Sequence, residues 1–289
     1  MATKVVLITG CSTGIGHAAA RAFLAAGYIT VATARRLDAI SDLAEAGCMT
    51  LQLDVTDSTS CREATNAVLA DHGRIDVLVN NAGFSAMGAV EDVTIDEWRA
   101  QFETNLFGVV QLVQLVLPHM RRRGSGRIIN VGSMGGRVTF PGGGAYHASK
   151  YALEAMTDAL RFESARHGVQ VVLVEPGSVA TALADNAGLL VLRYPDSAHQ
   201  HLNAQMDSKF STLTRGGASP NKLARVLVRA ATARWPRPRY LVGADARTVV
   251  PLHQLLPTQV WDAVLRHAFR GPSDRVTPLA QAGHSRDRS

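Results

Sequence analysis

Tyr146 and Lys150 stand four residues apart in Gly144-Ala145-Tyr146-His147-Ala148-Ser149-Lys150, and Ser133 lies thirteen residues upstream. On a helix that spacing puts both side chains on one face. A phenol loses its proton near pH ~10, and a cation held beside it favours the phenolate and pulls that value down. The pair is a candidate general acid and base, and Ser133 a candidate hydrogen-bonding partner for the reacting oxygen. The same spacing also suits two residues on a solvated helix face. The N-terminal end of the chain weighs toward chemistry.

There, Lys4-Val5-Val6-Leu7-Ile8 has the apolar, β-branched character of a buried parallel strand. Thr9-Gly10-Cys11-Ser12-Thr13-Gly14-Ile15-Gly16 follows at once, then a helical pattern over 17–26 that Gly27 ends. Strand, glycine loop and helix make the first half of a dinucleotide-binding βαβ unit. Gly10 allows the tight turn. Gly14 and Gly16 remove side chains where backbone approaches a pyrophosphate or a neighbouring strand, and the helix start offers N–H groups to the phosphates. Ser12, Thr13 and Ile15 complete the candidate contacts of this loop. The spacing is G-x-x-x-G-x-G, and a tight turn without a ligand would have the same sequence.

The next strand, 29–34, ends at Ala34-Arg35-Arg36. An acid at that point would hold a ribose 2′-hydroxyl and repel a 2′-phosphate; a guanidinium binds the phosphate in a forked geometry. The expectation is NADP(H) in preference to NAD(H), carried by Arg35. The alternative is that both arginines are ordinary surface charges.

Taken together, these residues resemble the short-chain dehydrogenase/reductase family in its compact Tyr-x-x-x-Lys branch, over 4–181. The resemblance runs in chain order. Leu53-Asp54-Val55 matches the family's adenine contact, and Asn80-Asn81-Ala82-Gly83 follows a strand expected over 75–79. Asn105 sits in Thr104-Asn105-Leu106, and Ser133 follows a strand expected over 127–131. After the Tyr146 and Lys150 pair, Pro176-Gly177-Ser178-Val179-Ala180-Thr181 is similar to the segment that cradles the nicotinamide. Gly132 stands where many relatives have a second serine, so the turn there is expected to be looser.

The resemblance implies a doubly wound parallel α/β sheet of Rossmann type, a single domain over 1–270 with a substrate lid at 182–218. It implies cofactor contacts from Asp54, Val55, Asn81, Ala82, Gly83, Pro176, Gly177, Val179 and Thr181, besides Tyr146 and Lys150. It gives the catalytic set as Asn105, Ser133, Tyr146 and Lys150. Lys150 would bind the nicotinamide ribose and lower the pKa of Tyr146. Asn105 would hold water in a proton relay; the alternative for the residue alone is a satisfied buried amide. The reaction implied is hydride exchange between a secondary alcohol or ketone and the cofactor. Candidate pocket residues are Phe84, Met87, Met134, Phe140 and Leu183, with Leu189 beside them. Their apolar character suits a lipophilic alcohol or ketone, although each could equally be core. Segment 4–181 is similar to hydroxysteroid and retinol dehydrogenases, which points to a steroid-, retinoid- or fatty-type substrate.

The elements that must hold these groups follow from periodicity. Strands and helices alternate without a linker break before about residue 185, as one α/β domain requires. A helix expected over 97–123 carries Phe102, Leu106, Val109, Val110, Val113 and Val116 on one stripe, and Pro118 near its end. Another is expected over 146–168. In relatives these two helices pair across a subunit interface, so a homodimer or homotetramer is expected by resemblance; the sequence alone also permits a monomer with both stripes buried within it. Ser219-Pro220 opens a further helix, 239–243 reads as a last strand, and polar residues 271–289 are expected to be disordered.

The net charge of +6, from 30 Lys+Arg against 24 Asp+Glu, is dispersed and accompanies no nucleic-acid module. Three cysteines lack metal-ligand spacing, and an odd count without a signal peptide indicates a reduced, cytoplasmic setting. Cys11 reads as an oxidation-sensitive thiol or as ordinary loop. No run has the ~20 apolar residues of a membrane span. The apolar segment 249–269 suits a membrane-surface helix, an oligomer contact or a pocket cover. Two other function classes fit the glycine loop. One is a non-catalytic NADP(H)-sensing regulator, which would be expected to lack Tyr146 or Lys150. The other is a sugar-nucleotide epimerase, which would need a larger C-terminal domain.

Overall fold

The computed structural model of the chain describes residues 3–180 and 189–269. The first half contains β1 (Val5–Ile8), α1 (Gly14–Ala25), β2 (Ile29–Ala34), α2 (Ser41–Glu45), β3 (Met49–Gln52), α3 (Ser58–His72) and β4 (Val77–Asn80). Then come α4 (Ile95–Phe102), α5 (Gly108–Arg122), β5 (Gly126–Val131), α6 (Gly144–Ala165) and β6 (Val169–Pro176). The remainder is α7 (Leu189–Arg193), α8 (Gln200–Arg215), α9 (Pro220–Thr232), β7 (Arg239–Val242), α10 (Ala244–Leu255) and α11 (Thr258–Ala268).

The seven strands form one parallel sheet in the order β3-β2-β1-β4-β5-β6-β7. Because side chains alternate along a strand, each strand feeds two cores. Val6 and Ile8 point to one face, where Phe23 of α1 and Leu223 and Leu227 of α9 close over them. Val5 and Leu7 point to the other, with Val68 of α3, Leu112 and Val116 of α5 and Leu153 and Leu160 of α6. Strands covered on both faces read as continuous apolar runs, which is how β1 appears in the sequence. No described helix is long and apolar enough to cross a membrane.

The helix expected over 97–123 is two helices joined by one π turn, Glu103–Phe107. The wider turn carries Asn105 inward, where it is buried. α5 continues through Pro118 to Arg122. The looser turn expected at Gly132 is not found: Gly132 N–H donates to Val174 O at 2.8 Å and extends the β5–β6 ladder.

Gly16 acts through packing. A Cβ built on it would lie 2.2 Å from Gly10 O and 2.5 Å from Asn81 Nδ2, so its absence lets α1 start against the loop. Gly16→Ala is expected to cost about 1–3 kcal/mol of stability through overpacking, read as a lower Tm. An unchanged melting curve would contradict this packing role.

Candidate active site

Parallel strands bring all their C-terminal ends to one edge, and here the strand order reverses between β1 and β4. Open α/β sheets take ligands in the crevice at such a reversal. In this chain the crevice is a cavity of about 1000 Å³.

The glycine loop forms one end of it. Gly10 has φ of 71°, a conformation that favours glycine, and a Cβ there would meet Ala82 Cα at 2.8 Å. Ser12, Thr13, Gly14 and Ile15 line the cavity, and Gly14 also has a positive φ of 59°. Thr13 occupies the N-cap of α1 without a side-chain cap, so the first-turn N–H groups are left for a ligand. With no side chain at Gly10 or Gly14, this cradle fits the pyrophosphate of a dinucleotide. Gly16 does not line the cavity, in keeping with its packing role.

Arg35 lies on the cavity wall at the end of β2, whereas Arg36 pairs with Asp38 at 3.1 Å. Arg35 has no hydrogen-bond or ion-pair partner among the described residues, which leaves its guanidinium available. Asp54 and Val55 line the same end. Asp54 Oδ1 accepts hydrogen bonds from Thr56 N–H at 3.0 Å and Thr56 Oγ1 at 2.8 Å, which fixes the turn after β3. Ala82 and Gly83 contribute backbone to the wall. Asn81 also lines it, but its Nδ2 donates to Thr9 O at 2.9 Å and Gly10 O at 3.0 Å. That side chain ties the β4 loop to the glycine loop.

Pro176, the last residue of β6, and Gly177 and Val179 after it line the cavity. Asp245, at the start of α10, anchors this segment: its Oδ2 accepts from Ser178 N–H at 2.6 Å. A Cβ on Gly177 would lie 2.1 Å from Asp245 Oδ1, so glycine is required where that carboxylate docks. Thr181 and Leu183 lie outside the described residues, as do 182–188 of the expected lid and the tail 271–289.

Ser133, Tyr146 and Lys150 all reach the cavity wall. Ser133 follows β5, and its Oγ accepts from Gly135 N–H at 3.0 Å. Lys150, buried, donates to Val131 O at 3.0 Å, with its ammonium 5.9 Å from the centroid of the Tyr146 ring. The structure departs from expectation on Tyr146. Burial pushes the phenol above its ordinary value, and the hydrogen bond with Ser133 opposes that rise. Lys150 does not set the direction of that shift: burial outweighs the neighbouring groups. Lys150 is itself lowered to about 8 by burial, against an opposing pull from Glu154 one turn along α6. Glu154 belongs to a buried cluster that the sequence did not reveal. It and Glu175 share Nη1 of Arg239, and Arg137 reaches Glu175 at 3.2 Å. Burial, then the neighbouring Glu175, raise Glu154 to about 7, with Arg239 opposing.

Asn105 is a satisfied amide. Its Nδ2 donates to Phe84 O at 3.0 Å and Ser149 Oγ at 3.1 Å, and its Oδ1 accepts from Phe84 N–H at 3.1 Å. It does not line the cavity; it braces the 84 loop against α6. Nothing in the local spacing of His147 marks it in the sequence, because its partners come from the 135–140 loop upstream. Its Nδ1 lies 2.9 Å from Gly135 O and its Nε2 accepts from Phe140 N–H at 3.3 Å, so the ring pins the 135–140 loop. Burial keeps its pKa below the ordinary histidine value.

Phe84, Met87, Met134 and Phe140 all line the cavity. Leu189 begins α7, and Leu190 beside it is buried. The remaining cover comes from α8, inside the expected lid, and from α10 and α11, which carry the apolar segment 249–269. Met206, Phe210 and Thr214 of α8 and Val249 of α10 line the far end, with Trp261, Val264 and Leu265 of α11. Trp261 lies 6.4 Å from Phe140, ring to ring. Segment 249–269 therefore serves as the pocket cover, one of the three roles its composition allowed. Cys11 is ordinary loop: fully buried, with burial pushing its thiol up to about 12.

The short chain dehydrogenase family matches residues 4–189. A 3-ketodihydrosphingosine reductase of Bacteroides thetaiotaomicron is 34% identical over 279 residues, spanning 93% of this chain and 98% of that protein. A crystal structure of a short-chain dehydrogenase from Streptomyces avermitilis is similar, with a TM-score of 0.78 at 36% identity, over 92% of this chain and 96% of that one. A metagenomic short-chain oxidoreductase in complex with NADP gives a TM-score of 0.65 at 29% identity, over 83% of this chain and 96% of that one.

Proposed function

The chain belongs to the short-chain dehydrogenase family, and on that premise we propose that it is an NADP(H)-dependent oxidoreductase interconverting a ketone and a secondary alcohol on a lipophilic substrate. The observation that carries this reading is the convergence of Ser133, Tyr146 and Lys150 on the cavity that the glycine loop and Arg35 also line. NADP(H) is supported by the unpaired Arg35, and by a similar oxidoreductase that binds NADP. A lipophilic substrate is supported by the apolar cover from Phe140, Met206 and Trp261, and by a relative that reduces 3-ketodihydrosphingosine.

A nicotinamide held in the cavity would supply or accept the hydride at the carbinol carbon. Tyr146 gives its proton to the carbonyl oxygen in reduction and takes it back from the alcohol in oxidation. Ser133 orients that oxygen and stabilises its developing charge. Lys150 contributes its ammonium to the cofactor's ribose side, and Asn105 keeps the 84 loop in place. Burial raises the pKa of Tyr146, which favours the protonated phenol, the form that donates in reduction. Exposed Phe107, Tyr151 and Phe162 suit the seam of a homodimer or homotetramer, which light scattering checks.

NADPH absorbance followed against steroids, retinoids, quinones, long-chain ketones and small β-ketoesters tests the reading. Ketone-dependent decay with at least one class is expected; none with any class would overturn it.

The pH dependence has a definite sign. Lys150 is charged below about 8 and neutral above it. In the reductive direction, kcat/KM for NADPH is expected to fall as pH rises through about 8, while Tyr146 remains protonated. A profile that stays flat as pH rises through about 8 would contradict the charge role of Lys150.

A further inference from the structure

Four side chains that carry charge near neutral pH line the cavity among the described residues: Arg35, Asp54, Lys150 and Lys209. The first two sit at the β2 and β3 end and the third beneath Tyr146. Lys209 belongs to neither group. It lies on α8 between Met206 and Phe210, and Met206 packs over the loop after Phe140, where a Cβ on Gly142 would meet its Cγ at 3.2 Å. The Lys209 ammonium lies 5.2 Å from the ring centroid of Phe269, just beyond α11. Lys209 is half-buried and has no carboxylate within ion-pair distance among the described residues. An ammonium in a largely apolar enclosure is stabilised only modestly by one aromatic face, and an anion entering that space gains a charge-assisted hydrogen bond.

We propose that Lys209 is a specificity-determining residue that anchors a carboxylate at the end of an apolar substrate, so that the preferred substrate is a lipophilic keto or hydroxy acid. This rests on the oxidoreductase reading above and narrows its substrate class. The apolar wall takes the chain, Tyr146 and Ser133 take the carbonyl oxygen, and Lys209 takes the carboxylate from α8. A cationic amphiphile is disfavoured by the same ammonium.

The test compares three ketones of matched chain length: a keto acid, its methyl ester and the corresponding amino ketone. Each is assayed by NADPH consumption with wild-type protein and with Lys209→Met and Lys209→Arg. The wild type is expected to prefer acid over ester in kcat/KM by on the order of 10- to 100-fold, the worth of one hydrogen bond to a charged group. Lys209→Met is expected to abolish that ratio and Lys209→Arg to retain it. Calorimetric titration of the keto acid into protein saturated with NADP+ is expected to show the same loss of affinity in Lys209→Met. Reduction of acid and ester at equal efficiency by wild type overturns the proposal and leaves the oxidoreductase reading standing; so does an acid-to-ester ratio unmoved by Lys209→Met. If none of the three is reduced while another ketone is, the carboxylate class is wrong. If no ketone at all is reduced, the oxidoreductase reading falls with it.

Discussion

Tyr146→Phe is expected to lower ketone reduction by about 10²- to 10⁴-fold while NADPH still binds. The substitution removes one hydroxyl and keeps the ring. The packing of that ring against His147, at 5.7 Å between centroids, survives, and what is lost locally is the hydrogen bond with Ser133. The fold should therefore persist, and the loss should appear in kcat. Fluorescence titration with NADPH separates binding from turnover. A variant that turns over near the wild-type rate would take Tyr146 out of the mechanism, and one that fails to bind NADPH would mean the hydroxyl serves the cofactor site.

Arg35→Asp is expected to reduce the ratio of kcat/KM for NADPH over NADH by on the order of 10²-fold. A hydrogen bond to a charged group contributes about 1.5–3 kcal/mol, and a carboxylate in its place both loses that contact and repels a 2′-phosphate. Arg35 suits this role because it lines the cavity, whereas Arg36 is engaged with Asp38. An unchanged ratio would return Arg35 to the status of a surface charge and leave the cofactor preference to some other group. Arg36→Ala is the natural control, with little effect on the ratio expected.

The parts of the site legible in the sequence are those made by local spacing. Gly10 to Gly16 can be read because a strand, a positive-φ glycine and a helix start must follow one another within a few residues. Tyr146 and Lys150 can be read because helical period alone puts them on one face. The long-range contacts could not be read this way. Asp245 reaches Ser178 across 67 residues, and nothing in Gly243-Ala244-Asp245 says which backbone N–H it will meet. Trp261 belongs to an amphipathic helix, and a pattern of that kind gives a buried face without naming what it buries against. Asn105 shows the converse. The resemblance marked it as a site residue, and the π turn explains its backbone. Its amide is nonetheless spent on Phe84 and Ser149.

The Tyr146 phenol shows where a pairwise argument falls short. A lysine four residues away was expected to lower its pKa. Lys150 donates one hydrogen bond to the Val131 carbonyl and lies over the ring, and burial of the phenol is the larger effect. Proximity in sequence fixed which groups meet, and the surrounding dielectric fixed the direction of the shift.

A structure of the chain with NADP+ and a bound alcohol or ketone tests the central claim most directly. The account predicts the Tyr146 hydroxyl and Ser133 Oγ both within hydrogen-bond distance of the substrate oxygen, about 2.6–3.2 Å, with the apolar body of the substrate under α8 and α11. A substrate oxygen turned away from residue 146, with no water between them, would contradict it.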